Sequence, residues 1–332
     1  MRRREFIALL GGAAAVPSMQ WPLAAHAQQD GPVRRIGILW RGEVTEGLVY
    51  GQQDALRQAL AKLGWIEDRN VRIDLRYTGY DPDVIRMHAD ELIGLGPDVI
   101  AANSFPVTHA VLQRTRTVPI VFINVGDPVA GGLLKNISRP EGNATGITSN
   151  YQSMGGKWLE LLKQMAPRMA RAALVFEPEH VNAQFFGVID NAAKTLAVKT
   201  VRTPYRSAGE LQHAIEAFAA EPNGGLLMVP PPPSAANGDL INRLAVKYRL
   251  PAIYSSKYYV AEGGMMSFGA PLFESQRIAA TYVDRILRGA KINELPVQFP
   301  TTVELVINLK TAKVLGLTVP RSILLLADEV IE

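Results

Sequence analysis

Short apolar runs alternate with amphipathic stretches from Arg34 onward, and this alternation constrains the fold more than any single motif. Residues 35–40 are typical of a buried strand, and residues 52–63 carry apolar side chains at helical spacing before Gly64. Strands that alternate with helices of this length predict a parallel sheet with helices on both faces. The same pattern predicts further strands at residues 71–77, 98–102 and 119–125, and a helix opened by Asp81-Pro82.

The pattern begins again after about residue 150. Residues 118–122 correspond to residues 250–254, since each segment enters a strand through a proline after a short helix. We therefore predict an α/β fold with two doubly wound parallel-sheet lobes rather than one large sheet. The second half is predicted to contain strands at 171–177, 200–205, 225–230 and 251–255, and helices at 182–196, 207–220 and 239–248.

The two lobes are predicted to exchange segments near the end of the chain. The helix at residues 276–288 is assigned to the first lobe's sheet, so the chain must cross between the lobes three times. We expect lobe 1 to comprise residues 31–148 plus 270–295, and lobe 2 residues 149–269 plus 296–332.

The first 27 residues have the pattern of a bacterial export signal. A basic start is followed by the apolar residues 7–16 and the small-residue triplet Ala25-His26-Ala27. The start Arg3-Arg4-Glu5-Phe6-Ile7 also matches the twin-arginine pattern, with an ordinary secretory signal as the alternative. Either route predicts cleavage after Ala27 and a periplasmic protein of about 305 residues, enough for one large or two ordinary domains.

Composition and motifs exclude several classes of function. The chain has no cysteine, so disulfides, thiolate metal sites and a lipidated cysteine are excluded. Half of the formal net charge of +4 lies in the signal, so the mature chain gives no indication of nucleic-acid binding. Nucleophile-elbow and phosphate-loop patterns are incomplete, and we expect no enzyme, no cofactor and no metal site. The histidines stand singly, at positions 26, 88, 109, 180 and 213.

Ligands of open parallel sheets collect beyond the carboxyl ends of the strands, and two hinged lobes bring both sets of ends to one cleft. Each strand-end residue also has an alternative role, because polar residues there often cap a helix or close a turn. The predicted ligand contacts are Trp40, Arg41, Asn103, Ser104, Asn124, Asp127 and Thr148 in the first lobe, and Glu177, Pro230, Tyr254 and Phe268 in the second.

Five segments carry a resemblance to a known family: residues 2–15, 119–129, 139–146, 263–269 and 299–317. In these segments the chain resembles the exported substrate-binding proteins of ATP-driven (ABC) importers, specifically the set similar to the tryptophan-binding component. The resemblance implies the type I periplasmic-binding fold with three hinge crossings and a small-molecule ligand between the lobes. It also implies a membrane permease and an ATPase as partners, and we expect a monomer. It does not specify the ligand, because similar members take different small molecules.

Two departures from the family pattern bear on the ligand. Trp40-Arg41 stands where relatives usually carry small hydroxyl residues, and Glu177 stands where they often carry asparagine. Arg41 and Glu177 are suited to hold the two ends of a zwitterion, which favours an amino acid. The alternatives are a rim position in solvent, which suits Trp40 and Arg41 equally well, and a solvated cleft edge for Glu177, as is more often found for such a glutamate. The alternatives are a sensory module of the same fold that presents its ligand to a receptor and, with less support, an exported enzyme.

Overall fold

A computed structural model describes residues 32–43, 47–148, 154–178, 183–229, 235–271 and 273–332. The expected signal at residues 1–27, its cleavage site and the candidate contact Pro230 lie outside the described residues. Residues 33–332 form one compact unit, whose fold is described below. Within the described ranges, no helix combines the length and the apolar character that crossing a bilayer requires.

The first half of the chain forms a five-stranded sheet. Its strands pair in the order β2-β1-β3-β4-β5, and every pairing is parallel. In this register Ile36 of β1 pairs with Ile73 of β2 on one side and with Val99 of β3 on the other. The elements are β1 (Arg34–Trp40), α1 (Gly47–Lys62), β2 (Val71–Tyr77), α2 (Pro82–Gly94), β3 (Val99–Asn103), α3 (Phe105–Arg114), β4 (Ile120–Val125) and β5 (Ala144–Thr148).

The second half forms a separate sheet of seven strands in the order β12-β11-β10-β9-β8-β6-β7. The elements are α4 (Gly155–Met165), β6 (Arg171–Phe176), α5 (Ala183–Thr195), β7 (Lys199–Pro204), α6 (Ala208–Ala219), β8 (Gly224–Met228), α7 (Ala235–Lys247), β9 (Ala252–Tyr254), α8 (Lys257–Ala261), β10 (Met266–Gly269), α9 (Glu274–Leu287), β11 (Glu304–Asn308), α10 (Leu309–Val314), α11 (Arg321–Leu324) and β12 (Glu329–Ile331). All neighbours are parallel except β10 and β11. The two predicted α/β lobes with parallel sheets are thus confirmed.

Two helix starts show how the sequence sets these elements. Asp81 accepts a hydrogen bond from the backbone N–H of Asp83, and Pro82 occupies the first position of α2, where a missing N–H has no cost. Ser207 caps α6 in the same manner by accepting from the N–H of Glu210. Both starts are therefore those that the sequence predicts.

Different helices cover the two faces of the first sheet. Ile38 packs with Leu56 of α1 and Val283 of α9 in one core cluster. Leu39, which points to the opposite face, packs with Leu92 of α2 in another. Alternation along β1 thus divides the core of this lobe into two layers.

Helix α9 packs on the first sheet although it follows β10 in the chain. The hydroxyl of Tyr282 in α9 donates to the carbonyl oxygen of Pro296 at 2.5 Å. The hydroxyl of Thr145 in β5 donates to the carbonyl oxygen of Leu295 at 2.6 Å. These bonds join the end of the α9 segment to the edge strand of the first sheet.

The last crossing begins later than the sequence indicated. Residues 296–332 were expected in the second lobe, but the backbone N–H of Gln298 donates to the carbonyl oxygen of Gly146 at 3.0 Å. The N–H of Thr148 in turn donates to the carbonyl oxygen of Gln298 at 2.9 Å. Residues 296–298 therefore continue the first sheet, and the return to the second sheet follows them.

Candidate ligand-binding site

The parallel strands of the first sheet all end at one edge, and five predicted contacts lie there. Trp40 ends β1, Asn103 ends β3 and Thr148 ends β5. Ser104 follows β3 directly, and Asn124 is the next-to-last residue of β4. Three strand spacings separate β1 from β5, a span of about 14 Å. The topology thus arranges these five side chains along a row as long as a small molecule.

Two residues of this row have strained backbones. Ser104 has a φ of 79° and Asn124 a φ of 57°, both in the left-handed half of conformational space that non-glycine residues rarely occupy. The pairing of β4 with β5 shifts between Ile123 and Val125, so that Asn124 lies on a bulge. Backbone strain and bulges concentrate at ligand sites, where they direct side chains that regular strands would place elsewhere.

Five buried polar atoms near this edge have no hydrogen-bond partner within the described part of the chain. Buried polar groups are almost always bonded, and each one left without a partner costs about 1–3 kcal/mol. Such a concentration at the ends of parallel strands indicates a site where a ligand supplies the missing partners. The atoms are Trp40 Nε1, Gln53 Oε1, Ser104 Oγ, Thr148 Oγ1 and Gln276 Nε2.

The sequence analysis did not identify Gln53 and Gln276. Gln53 lies one turn before the core residue Leu56, on the face of α1 that covers the sheet, and is 3% exposed. Gln276 has the same place at the start of α9 and is 2% exposed. The two helix starts touch, because the ring of Phe273 lies 2.7 Å from where a Cβ on Gly51 would be. Each is a glutamine within an otherwise apolar helical stripe, and this pattern is the signal by which the sequence could have indicated it.

The edge of the second sheet carries a carboxylate held in place by a phenol. Glu177 follows β6, and the hydroxyl of Tyr205, just after β7, donates a hydrogen bond to it. Burial raises the pKa of Tyr205 well above its ordinary value, and the charge and hydrogen bond of Glu177 raise it further. The phenol therefore stays protonated at neutral pH and keeps the Glu177 carboxylate oriented.

Apolar side chains lie at the same end of the second lobe, packed against its core. The rings of Phe176 and Phe186 meet edge to face with centroids 4.8 Å apart. The guanidinium of Arg202 lies 4.2 Å from the ring of Phe186 and pairs with Asp190 at 2.5 Å. Met154 and the predicted contact Phe268 pack against the same core cluster. We call these three rings and one methionine the aromatic group, namely Met154, Phe176, Phe186 and Phe268.

Tyr254 is a core residue and not a cleft contact, which corrects the sequence-based expectation. Its side chain is 1% exposed, and its hydroxyl donates to Oδ1 of Asn242 at 2.5 Å. Its ring stacks on Tyr259 with centroids 5.4 Å apart. The last residue of β9 therefore turns into the lobe rather than toward the strand-end edge.

The structure places the predicted contact Trp40 in the core and the predicted contact Arg41 against a surface ring. The ring of Trp40 is 0% exposed and packs in the core with Leu56, and its buried Nε1 has no hydrogen-bond partner in the described part of the chain. The guanidinium of Arg41 lies 4.7 Å from the centre of the Tyr80 ring, and Tyr80 is 47% exposed. Arg41 is thus part of a cation–π pair with a ring at the surface of the first lobe.

Asp127 closes a turn, which is the alternative role that strand-end polar residues often have. Its Oδ1 accepts hydrogen bonds from the backbone N–H groups of Val129 at 3.0 Å and Ala130 at 2.9 Å. This oxygen satisfies two backbone donors of a tight turn. The turn is the role that the structure gives to this oxygen, and a ligand contact of Asp127 stays a prediction.

Asp127→Ala should therefore lower the melting temperature by about 2–4 °C, which corresponds to the loss of about 1 kcal/mol typical of a missing cap. Asp127→Asn is the matched control, because its Oδ1 can still accept both bonds. Thermal unfolding followed by circular dichroism measures the difference. Equal melting of the alanine and wild-type proteins would show that the turn does not depend on this carboxylate.

Two shallow hollows elsewhere on the first lobe do not coincide with this edge. Both include Glu141 and Gly142, which precede β5, and one is also lined by Arg116, Arg139 and Lys291. They lie around the amino end of β5, opposite the end where ligands of parallel sheets collect. The carboxyl edge therefore remains the candidate ligand site.

Comparison with known proteins identifies the family of this chain. A sequence model of the family described as ABC transporter substrate binding protein matches residues 45–331. The chain belongs to this family. Among curated proteins, this substrate-binding protein is 26% identical over 262 residues to the tyrosine-binding protein of Clostridioides difficile (strain R20291), covering 78% of this chain and 75% of that protein.

Solved structures confirm the two-lobed periplasmic-binding fold of the first type. A conserved domain protein from Vibrio cholerae is 25% identical, with a TM-score of 0.81 over 90% of this chain and 99% of that one. An ABC domain from Streptococcus pneumonia in complex with L-Trp is 21% identical, with a TM-score of 0.81 and the same coverage. The open, ligand-free structure of an adhesive substrate binding protein from Clostridium difficile is 23% identical, with a TM-score of 0.69 and again the same coverage.

Proposed function

We propose that this chain is the periplasmic receptor of an ABC importer, which captures an amino acid between its two lobes and delivers it to a membrane permease and its ATPase. The observation that carries this proposal is the row of buried, unpartnered hydrogen-bonding groups at the carboxyl edge of the first sheet. Such groups lower stability unless a bound molecule satisfies them, so their concentration supports binding as the task of this edge.

The chemistry of the two edges favours an amino acid. Ser104 and Thr148 offer hydroxyl donors suited to a carboxylate, and neutral donors bind carboxylates through charge-assisted hydrogen bonds. Glu177, oriented by Tyr205, is suited to an ammonium group. This assignment replaces the zwitterion clamp of Arg41 and Glu177, because Arg41 already stacks on Tyr80.

The aromatic group supports a ligand with a large apolar or aromatic side chain. Phe186 is braced from behind by Arg202, so its ring has a fixed place beside Phe176. Aromatic rings pack well edge to face or offset against another ring. Relatives named for tyrosine and crystallised with tryptophan agree with this ligand class.

Several features of the proposal rest on the sequence. The pattern of residues 1–27 supports export and cleavage after Ala27. The sequence predicts crossings near residues 148–150, 269–270 and 296–300, and we propose these segments as the hinge, with residues 149 and 150 outside the described residues. We also propose that the receptor acts as a monomer. Closure around a ligand is the motion that such two-lobed folds use.

We expect the protein purified from periplasm to carry an amino acid that native mass spectrometry identifies by its mass. Titration of the ligand-depleted protein with that amino acid should reduce its radius of gyration in solution X-ray scattering, because the closed form must bind better for closure to occur. Titration with a sugar is the control. Binding of the amino acid without compaction would contradict the hinge, and failure to bind any amino acid would contradict the proposed ligand class.

A further inference from the structure

Three of the unpartnered groups belong to β1, α1 and α9, which pack together on one face of the first sheet. Trp40 packs in the same core cluster as Leu56 and Ala279, each of which lies one helical turn beyond a glutamine, Gln53 or Gln276. Trp40 is 0% exposed, Gln53 3% and Gln276 2%. We call these three residues the inner polar group.

Two other buried amides of the described chain, those of Asn143 and Asn242, do have partners, in contrast to the inner polar group. The Nδ2 group of Asn143 donates to the carbonyl oxygen of Val118 at 2.8 Å. The Nδ2 group of Asn242 donates to the carbonyl oxygens of Tyr259 at 3.1 Å and Glu262 at 3.0 Å. Amides that serve only the fold are thus bonded to backbone here, as is usual for buried amides.

The available atoms define what can bind. Trp40 Nε1 is a donor only, Gln276 Nε2 is a donor, and Gln53 Oε1 is an acceptor. A hydroxyl or a primary carboxamide satisfies all three atoms, because each has an oxygen that accepts and a hydrogen that it can donate. A carboxylate has no hydrogen for Gln53, and an ammonium group has no acceptor for Trp40 or Gln276.

We infer that the inner polar group is a specificity subsite that binds an uncharged hydroxyl or carboxamide at the end of the ligand's side chain. The inference rests on the proposed capture of an amino acid and adds to it the polar group that distinguishes one side chain from another. A site built to bond a hydroxyl rejects the analogue that lacks it, since its own polar atoms then stay unpaired.

The test compares two matched pairs of amino acids by calorimetric titration of the full mature protein after ligand depletion. Tyrosine and phenylalanine differ by one hydroxyl, and glutamine and leucine differ by a carboxamide in a side chain of similar size. We expect that either tyrosine binds roughly tenfold to hundredfold more tightly than phenylalanine, or glutamine does so relative to leucine. In Gln53→Leu and Gln276→Leu this preference should fall to within about threefold.

Matched variants separate recognition from folding. Gln58→Leu changes an exposed glutamine of the same helix α1 that bonds Asp54, and it should keep the wild-type preference. Trp40→Phe keeps a ring in the core but removes the N–H, and should weaken the preference. The melting temperature of ligand-free Gln53→Leu should be no lower than that of the wild type, because an unpartnered buried amide is replaced by an apolar group.

Each outcome decides a different point. Binding without a preference in either pair, or a preference that survives in both glutamine variants, would overturn the subsite while leaving amino-acid capture intact. Destabilisation of Gln53→Leu and Gln276→Leu with an unchanged preference would assign both glutamines to the fold instead. If none of the four binds but native mass spectrometry finds another amino acid bound, the subsite fails while amino-acid capture stands. If no amino acid binds at all, the proposed ligand class fails, and the subsite fails with it.

Discussion

Thr148→Val should lower the affinity for the captured amino acid roughly tenfold to hundredfold without destabilising the free protein. The side chain of Thr148 is 0% exposed, and its hydroxyl has no partner in the described chain. A hydrogen bond to a charged ligand group contributes about 1.5–3 kcal/mol. Valine has the same shape, so it removes the bond, relieves an unpaired polar group and leaves the packing unchanged.

Thr145→Val is the matched control on the same strand. Thr145 is also 0% exposed, but its hydroxyl donates to the carbonyl oxygen of Leu295 at 2.6 Å. Its loss should therefore destabilise the protein by about 1–3 kcal/mol and leave the affinity near the wild-type value. Calorimetric titration and thermal melting of both variants measure the contrast. If Thr148→Val melts as low as Thr145→Val and binds normally, the hydroxyl of Thr148 serves the fold.

The architecture was predictable because it depends on periodic patterns. Buried strands alternate with amphipathic helices, and this period restarts near residue 150, which is sufficient to predict two doubly wound sheets. The antiparallel pair of β10 and β11 was not predicted. The chain leaves the second sheet after Gly269 and returns to the same edge at Glu304, so the returning strand must run the opposite way.

The ends of the strands indicate where the candidate site lies, but they do not indicate which side chains face it. Ser104, Asn124 and Thr148 lie at the carboxyl edge because topology alone places them there. Tyr254 and Asp127 lie at comparable positions, yet one side chain points into the core and the other bonds its own turn. Side-chain direction at the end of a strand depends on tertiary packing, which a period of two does not specify once the strand stops.

Gln53 and Gln276 show the opposite limitation. Each lies in an apolar helical stripe rather than at the end of a strand, and each is placed near the edge because α1 and α9 begin close together there. The position of α9 follows from a crossing between lobes. Such residues can be recognised in the sequence as polar interruptions of an apolar stripe. Their position in the fold becomes known only from the structure.

Gly269→Val should lower stability by about 3 kcal/mol or more, with a fall in melting temperature on the order of 10 °C. Gly269 ends β10, where the chain leaves the second sheet for α9. A Cβ at this position would lie 1.9 Å from the carbonyl oxygen of Ser255 and 2.9 Å from its carbonyl carbon. Because both atoms belong to backbone, no rotamer change can relieve the overlap, and β10 would have to move away from Ser255.

Gly94→Ala is the control, since it adds a methyl group at the end of α2 with no atom within 4 Å. It should leave stability unchanged or raise it by about 0.5–1 kcal/mol, because alanine loses less conformational entropy in a helix than glycine. Chemical unfolding in urea compares the two variants with the wild type. If Gly269→Val is as stable as the wild type, the backbone at Gly269 and the backbone at Ser255 must lie farther apart than described. A large loss would show that close contact with the backbone of Ser255 fixes the point where the chain leaves the second lobe.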